Sequence, residues 1–191
     1  MTQISITKTI QEVDLGNHLH SIEQISTHDI PDGRLETQHT ESGNQLVLWG
    51  YVGTTSPTFT GATQTVDFDT FDYEKADFPY SVSEGEFTFQ ESGKFLIEVE
   101  VSCIITTSSR STTEAWLEKD TGGGFSELSG TRSTGYSRHS STGQGTTQTF
   151  SWAGTVNKGE SLRVRAERVN GTDTHQIEAN FSRIKIMRIA A

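Results

Sequence analysis

Residues 87–105, Phe87-Thr-Phe-Gln-Glu-Ser-Gly-Lys-Phe-Leu-Ile-Glu-Val-Glu-Val-Ser-Cys-Ile-Ile105, decide the fold. Phe87 and Phe89 alternate with Glu86, Thr88 and Gln90. The run then breaks at Glu91-Ser92-Gly93-Lys94, which predicts a tight turn with the glycine at positive φ. Beyond it the odd positions Phe95, Ile97, Val99, Val101, Cys103 and Ile105 are all apolar, whereas Glu98, Glu100 and Ser102 are polar. A period of two held this long is the mark of a half-buried β-strand. Burying each apolar side chain stabilises by roughly 1.5–3 kcal/mol. Ordering each backbone residue costs roughly 1–2 kcal/mol. The two nearly cancel, so the strand must lie centrally in a sheet packed on a second sheet.

Working outward, the same alternation recurs in short pieces. Gln45–Val52 is a run of bulky residues, and Val66 and Phe68 alternate with polar neighbours. Ala115–Glu118 reads as a strand. Phe150, Trp152 and Val156 share parity, as do Leu162, Val164 and Ala166 opposite Arg163, Arg165 and Glu167. Residues 176–189 place Ile177, Ala179 and Phe181 on one parity and Ile184 and Ile186 on the other, which suggests a bulge near Ser182-Arg183. Asn157-Lys158-Gly159-Glu160 is a turn, and Asn170-Gly171 is the strongest hairpin signal. About eight short strands with close turn signals and no convincing helix predict an all-β sandwich of the jelly-roll or Greek-key kind. Its expected core includes Phe87, Phe89, Phe95, Ile97, Val99, Val101, Phe150, Trp152, Leu162, Val164, Phe181, Ile184 and Ile186.

Two stretches stand apart. Residues 126–148 hold abundant Ser, Thr, Gly, Arg and His, and read as a long exposed loop with at most one weak strand. Residues 1–44 carry Ile4, Ile6, Ile10, Val13, Leu19, Ile22 and Ile25 among polar residues, too few for a core of their own. The expected organisation is an extended arm, 1–44, followed by a sandwich domain, 45–191. The arm's apolar residues then need a partner surface.

The totals narrow the function. An apolar share of 31% is low for a chain that is globular throughout, in keeping with a thin core and an arm outside it. A formal charge of −10 argues against nucleic acid, whose phosphates need a basic field. No apolar run approaches the roughly 20 residues of a membrane span. The first residues, MTQISITKTIQEVDL, lack the pattern of a signal peptide, so synthesis in a cytoplasm is expected. Cys103 falls on a core face and is expected to be a buried small hydrophobe rather than a nucleophile.

No catalytic constellation emerges. There is no G-x-S-x-G elbow, and the six histidines fall mostly in the arm or in polar loops. His18-x-His20 with His28 or His39 has the donor chemistry for zinc, but chance spacing explains it better. Asp67, Asp69 and Asp72 could offer oxygens to calcium, yet their alternation with Val66 and Phe68 already accounts for them as an outward strand face. The expectation is a protein that is not an enzyme, with no cofactor and no bound metal. Arg132, Tyr136, Arg138 and His139 are the candidate ligand-reading residues, able to stack on and hydrogen-bond a sugar or a protein.

The order of these motifs resembles the C1q/TNF-like jelly rolls. In that family an aromatic strand leads through a turn into Gly, an aromatic and a long alternating strand, matched by Phe87-Thr88-Phe89 and Ser92-Gly93-Lys94-Phe95-Leu96. A polar strand, a Gly-acid turn and an alternating strand follow, matched by Phe150–Val156, Lys158-Gly159-Glu160 and Ser161–Ala166. The closing strand has an aromatic with apolars three and five residues on, matched by Phe181, Ile184 and Ile186. The similarity covers about Val66 to Ile189, with Glu160 where the family usually has Asp. It implies a homotrimer with apolar and aromatic residues along the threefold axis. Jelly rolls of this kind without collagen-like stalks or export signals also occur in tailed bacteriophages, as head-decorating, head-fibre and tail proteins. The resemblance therefore implies a virion-surface structural protein whose arm grips a major capsid protein or another virion lattice. The alternative it leaves is a receptor- or glycan-binding module that uses the 126–148 loop.

Overall fold

The computed structural model describes residues 45–56, 58–75, 80–83, 85–106, 110–137, 145–172 and 174–190, all within the unit His39–Ala191. The arm, and with it Ile4, Ile6, Ile10, Val13, Leu19, Ile22 and Ile25, lies outside the described residues. So do Arg138 and His139.

The described residues form two antiparallel sheets and no helix. The first sheet runs β3 (Thr70–Glu74), β1 (Gln45–Tyr51), β13 (Arg183–Ala190), β6 (Gly93–Ile105), β10 (Gly145–Val156), with β12 (His175–Ile177) also on β6. The second runs β4 (Tyr80–Ser83), β5 (Glu86–Phe89), β11 (Ser161–Asn170), β7 (Ser111–Asp120), β8 (Phe125–Glu127). In it β2 (Gln64–Thr65) pairs with β11, and β9 (Ser133–Ser137) pairs with β7.

β6 is interior to its sheet, flanked by β10 and β13, as its apolar period requires. Its odd residues Phe95 to Ile105 are buried, and the chain enters it from β5 in the opposite sheet. Phe89 and Phe95 meet across the two layers, with ring centroids 4.8 Å apart. Leu48, Phe68, Phe87, Leu117, Leu162, Val164, Ile184 and Ile186 complete the same apolar cluster. Gly93 is not a positive-φ turn residue: it opens β6, paired with Val156.

Five further expectations are corrected. Phe181 is 59% exposed rather than in the core. Residues 176–189 are not one bulged strand but β12 and β13, separated by a turn in which Asn180 takes a left-handed φ of 64°. Ser182 occupies the inward place instead, its hydroxyl accepting the Ser102 amide proton at 3.0 Å. Phe150 and Trp152 pack on the core but are only partly buried, because β10 is the last strand of its sheet. Asn170-Gly171 is a crossover rather than a hairpin, since the following β12 joins the other sheet. Gly171, at φ 96°, lies against Arg110 and Ser111, where a side chain would collide.

The fifth correction concerns 126–148, whose described residues are mostly strand: β8, β9 and the start of β10. Small polar residues face inward here, so no apolar alternation announces them. Gln148 is fully buried and donates from Nε2 to Thr113 Oγ1 at 2.6 Å. The Thr113 hydroxyl is hydrogen-bonded in turn to the Cys103 thiol. Ser111, Ser137 and His175 are buried at the same end, with Ser111 Oγ 2.9 Å from His175 Nε2. One end of the sandwich therefore has a hydrogen-bonded polar interior, while the other end is packed with phenylalanine.

Candidate interaction surface

Pairing registers place the outward-facing residues of the first sheet in rows. Leu46 opposes Met187, Met187 opposes Leu96, and Leu96 opposes Ala153. These four make an apolar row across β1, β13, β6 and β10. Next to it Tyr73 opposes Trp49, which opposes Lys185, itself paired with Glu98 at 3.1 Å. Trp49 is 45% exposed and Tyr73 42%; Tyr51, opposite Arg183, is half-buried. An outward apolar row flanked by exposed aromatics is what an unfinished interface presents.

The sequence carried a signal for this face. Gln45–Tyr51 is bulky on both parities, with Val47 and Leu48 inward and Leu46, Trp49 and Tyr51 outward, and a bulge between Leu46 and Leu48 lets successive residues both reach the core. A strand apolar on both faces needs cover on both faces.

The outward face of the second sheet is built differently. Arg132 forms ion pairs with Glu114 (2.6 Å), Glu127 (2.5 Å) and Glu167 (3.3 Å), and its guanidinium lies 3.9 Å from the centroid of Trp116. Arg163 bridges Glu118 (2.7 Å) and Glu86 (3.0 Å) and covers Phe125 at 3.7 Å. The Arg132 contact holds the Glu127 carboxyl below its ordinary range. Glu160 accepts from the Asn157 backbone N–H (2.7 Å) and pairs with Lys119 (2.6 Å). Burial pushes its pKa up, but those partners outweigh it and the net shift is down. A glutamate reaches both partners across this turn, which is how the Glu-for-Asp departure is accommodated.

Of the four expected ligand-reading residues, two are described and they are not equivalent. Arg132 is consumed by three carboxylates and an indole, whereas Tyr136 is 55% exposed on β9. Asp69 accepts from the Gly53 amide at 2.5 Å and from the Thr70 hydroxyl at 3.1 Å, so it ties the segment after β1 to the start of β3. Among the described residues no group of three or more His, Cys, Asp or Glu side chains is arranged to hold a metal ion. No described helix is long and apolar enough to cross a membrane. Cys103 is fully buried, and burial pushes its thiol up to about 12.

No family model matches the chain, and no curated protein matches it in sequence. Solved structures do match. Eiger TNF from S. frugiperda superposes with a TM-score of 0.54 at 15% identity, over 76% of this chain and 94% of that one. Murine APRIL at pH 8.0 gives 0.54 at 10% identity, over 75% and 98%. The fold is a TNF-like jelly roll. Murine APRIL at pH 5.0 agrees, at 0.53 and 8% identity over 75% and 99%. At these identities the likeness concerns the fold alone. For this TNF-like body, what lies on the outward face of each sheet becomes the functional question.

Proposed function

We propose that the chain is a non-enzymatic virion structural protein that assembles as a homotrimer through the outward face of its first sheet. Its arm, 1–44, attaches the trimer to a major capsid protein or another virion lattice, so that it decorates the particle surface after synthesis in the host cytoplasm. The observation that carries the self-association is the apolar row Leu46, Met187, Leu96 and Ala153 beside Trp49 and Tyr73. Contacts near a symmetry axis are repeated in each copy, so a modest patch gains by repetition. Attachment by the arm rests on Ile4, Ile6, Ile10, Val13, Leu19, Ile22 and Ile25, which lack a core of their own. Three arms per trimer would multiply a weak single contact through effective concentration.

The ligand-reading alternative keeps Tyr136 but loses Arg132 to its ion pairs, so it is the lesser reading. Light scattering tests the assembly: the full chain should have three times the mass of a Trp49→Glu/Met187→Glu variant that keeps its β circular dichroism. Equal masses would sink the interface. Co-sedimentation tests the arm: deletion of residues 1–40 should abolish binding to particles while the trimer persists. Normal decoration by the truncated trimer would sink the attachment.

A further inference from the structure

Residues 178–182 step out of the strand register. Ile177 pairs with Cys103 and Arg183 with Glu100, so these five residues stand opposite two, Val101 and Ser102. The surplus chain lies over the outward side of the first sheet. Ser102 is an outward position of β6, between inward Val101 and Cys103, yet it is buried, and its hydroxyl donates to Glu178 Oε2 at 2.9 Å. Backbone bonds pin this turn on both sides of Phe181. Glu178 N–H donates to the Ser102 carbonyl at 2.8 Å, Asn180 N–H to the Val52 carbonyl at 2.8 Å, and Val52 N–H to the Ser182 carbonyl at 3.0 Å. Asn180 supplies the left-handed φ of 64° that the turn requires, a conformation asparagine tolerates better than most residues. On this fixed turn Phe181 is 59% exposed, more than Trp49 or Tyr73.

Beside the turn, a row of the same face reads Thr70, Tyr51, Arg183, Glu100, Thr149 from β3 to β10. Arg183 is exposed and Glu100 half-buried. They are cross-strand partners, as Lys185 and Glu98 are in the next row, but only the latter two join, at 3.1 Å. Among the described residues neither the Arg183 guanidinium nor the Glu100 carboxylate has an ion pair or a hydrogen bond. We propose that this end of the face is the specificity contact of the homotrimer: Arg183 of one copy pairs with Glu100 of the next, and Phe181 is buried beside that pair. The inference rests on the self-association reading and names the contact that sets its geometry. One row holds both an unspent cation and an unspent anion, so a second copy of the same face supplies what each lacks. Copies related by a threefold rotation meet through different residues, and three such contacts close a ring. Aromatic and arginine side chains commonly dominate the energy of an interface. Phe181 is ordered by its turn before any contact is made, which lowers the entropy cost of burying it. The row from Leu46 to Ala153 supplies apolar area, and the ion pair fixes register and rejects wrong partners.

Sedimentation equilibrium on the full chain tests this. The variants are Arg183→Glu, Glu100→Arg, the exchanged pair Arg183→Glu/Glu100→Arg, and Phe181→Ser, each checked for the β circular dichroism of the wild type. Trimer dissociation should rise at least about ten-fold in the three single variants, and the exchanged pair should recover most of the loss. Cross-linking then asks whether the pair joins different copies. Arg183→Lys chains, half of them isotopically labelled, are mixed and treated with a zero-length carbodiimide. The linked peptides that hold positions 183 and 100 should include mixed-isotope species. A wild-type chain that sediments as a monomer refutes the self-association reading and this contact with it. A wild-type trimer that tolerates all four variants refutes the contact alone. So does an exchanged pair no better than its single variants, or a cross-link found only within single-isotope species.

Discussion

The polar end of the interior makes a sharp prediction, because its hydrogen bonds run in one direction. Gln148 Nε2 donates to Thr113 Oγ1 at 2.6 Å, and Thr113 is bonded to Cys103. Gln148 Oε1 is buried with no hydrogen-bond partner. Thr113→Val removes the shared hydroxyl with almost no change of shape and strands the Gln148 amide entirely. Leaving a buried donor unmade costs about 1–3 kcal/mol. Gln148→Leu removes the donor and the stranded acceptor together, keeps the volume, and leaves Thr113 its bond to Cys103. Replacing both sides of a buried polar contact by apolar groups of like shape is close to neutral. The order of stability should therefore be wild type about equal to Gln148→Leu, with Thr113→Val lowest and Thr113→Val/Gln148→Leu recovering most of the loss. A loss of 2 kcal/mol lowers the Tm of a domain this size by about 4–8 °C. Thermal melts at one fixed protein concentration, so that any association contributes equally, decide the matter. If Gln148→Leu costs as much as Thr113→Val, or if the double variant shows no recovery, the polar relay has been misjudged.

Two other outcomes follow from the same structure. Cys103, fully buried with its thiol pushed up to about 12, should be unreactive toward a thiol reagent at pH 8 in the native protein and should titrate one equivalent in denaturant. The Glu127 carboxyl is lowered from 4.5, first by its hydrogen bond from Arg132, and Glu160 is lowered also, by the Asn157 amide and Lys119 against its own burial. A depressed carboxylate contributes stability that is complete above its unfolded value and is lost as pH falls through the folded one. Stability should thus decline below pH about 4.5, and Glu127→Gln/Glu160→Gln should flatten that decline in urea titrations run from pH 6 to 3.

How far the sequence could be read depended on what faces inward. Phe95 to Ile105 were legible because six consecutive inward positions are apolar and their outward neighbours are mostly polar, so the period shows without help. Residues 133–137 and 145–148 were not, since their inward positions include Gly135, Ser137 and Gln148, and an alternation of polar with polar leaves no trace. Residues 133–137 and 145–148 are strand because β7 and β6 offer them a register. Gly135 admits Gln148 across the layers, where a Cβ would collide with its amide. Phe181 was misplaced because parity was carried unbroken through 178–182. Asn180 in the left-handed region resets the phase, and a lone Asn before Phe is too weak a signal to announce it. Trp49 and Tyr51 were visible as bulk, but which side they faced depended on the bulge at Val47.

The two outward faces also explain why binding is assigned to one sheet and not the other. On the second sheet the arginines that might have met a ligand are spent at home: Arg132 on Glu114, Glu127 and Glu167, and Arg163 on Glu118 and Glu86. Their planar groups also lie over Trp116 and Phe125. An acidic ligand arriving there would have to displace intramolecular carboxylates already in place, and a flat apolar partner would find its aromatics covered. On the first sheet the balance is reversed. Lys185 and Glu98 cancel each other at the centre of the face, while Trp49, Tyr73 and the row from Leu46 to Ala153 have no such cover among the described residues. Such a surface gains more from a dry, shape-matched partner than from water. Of the two outward faces, it is the one that the proposed self-association would cover.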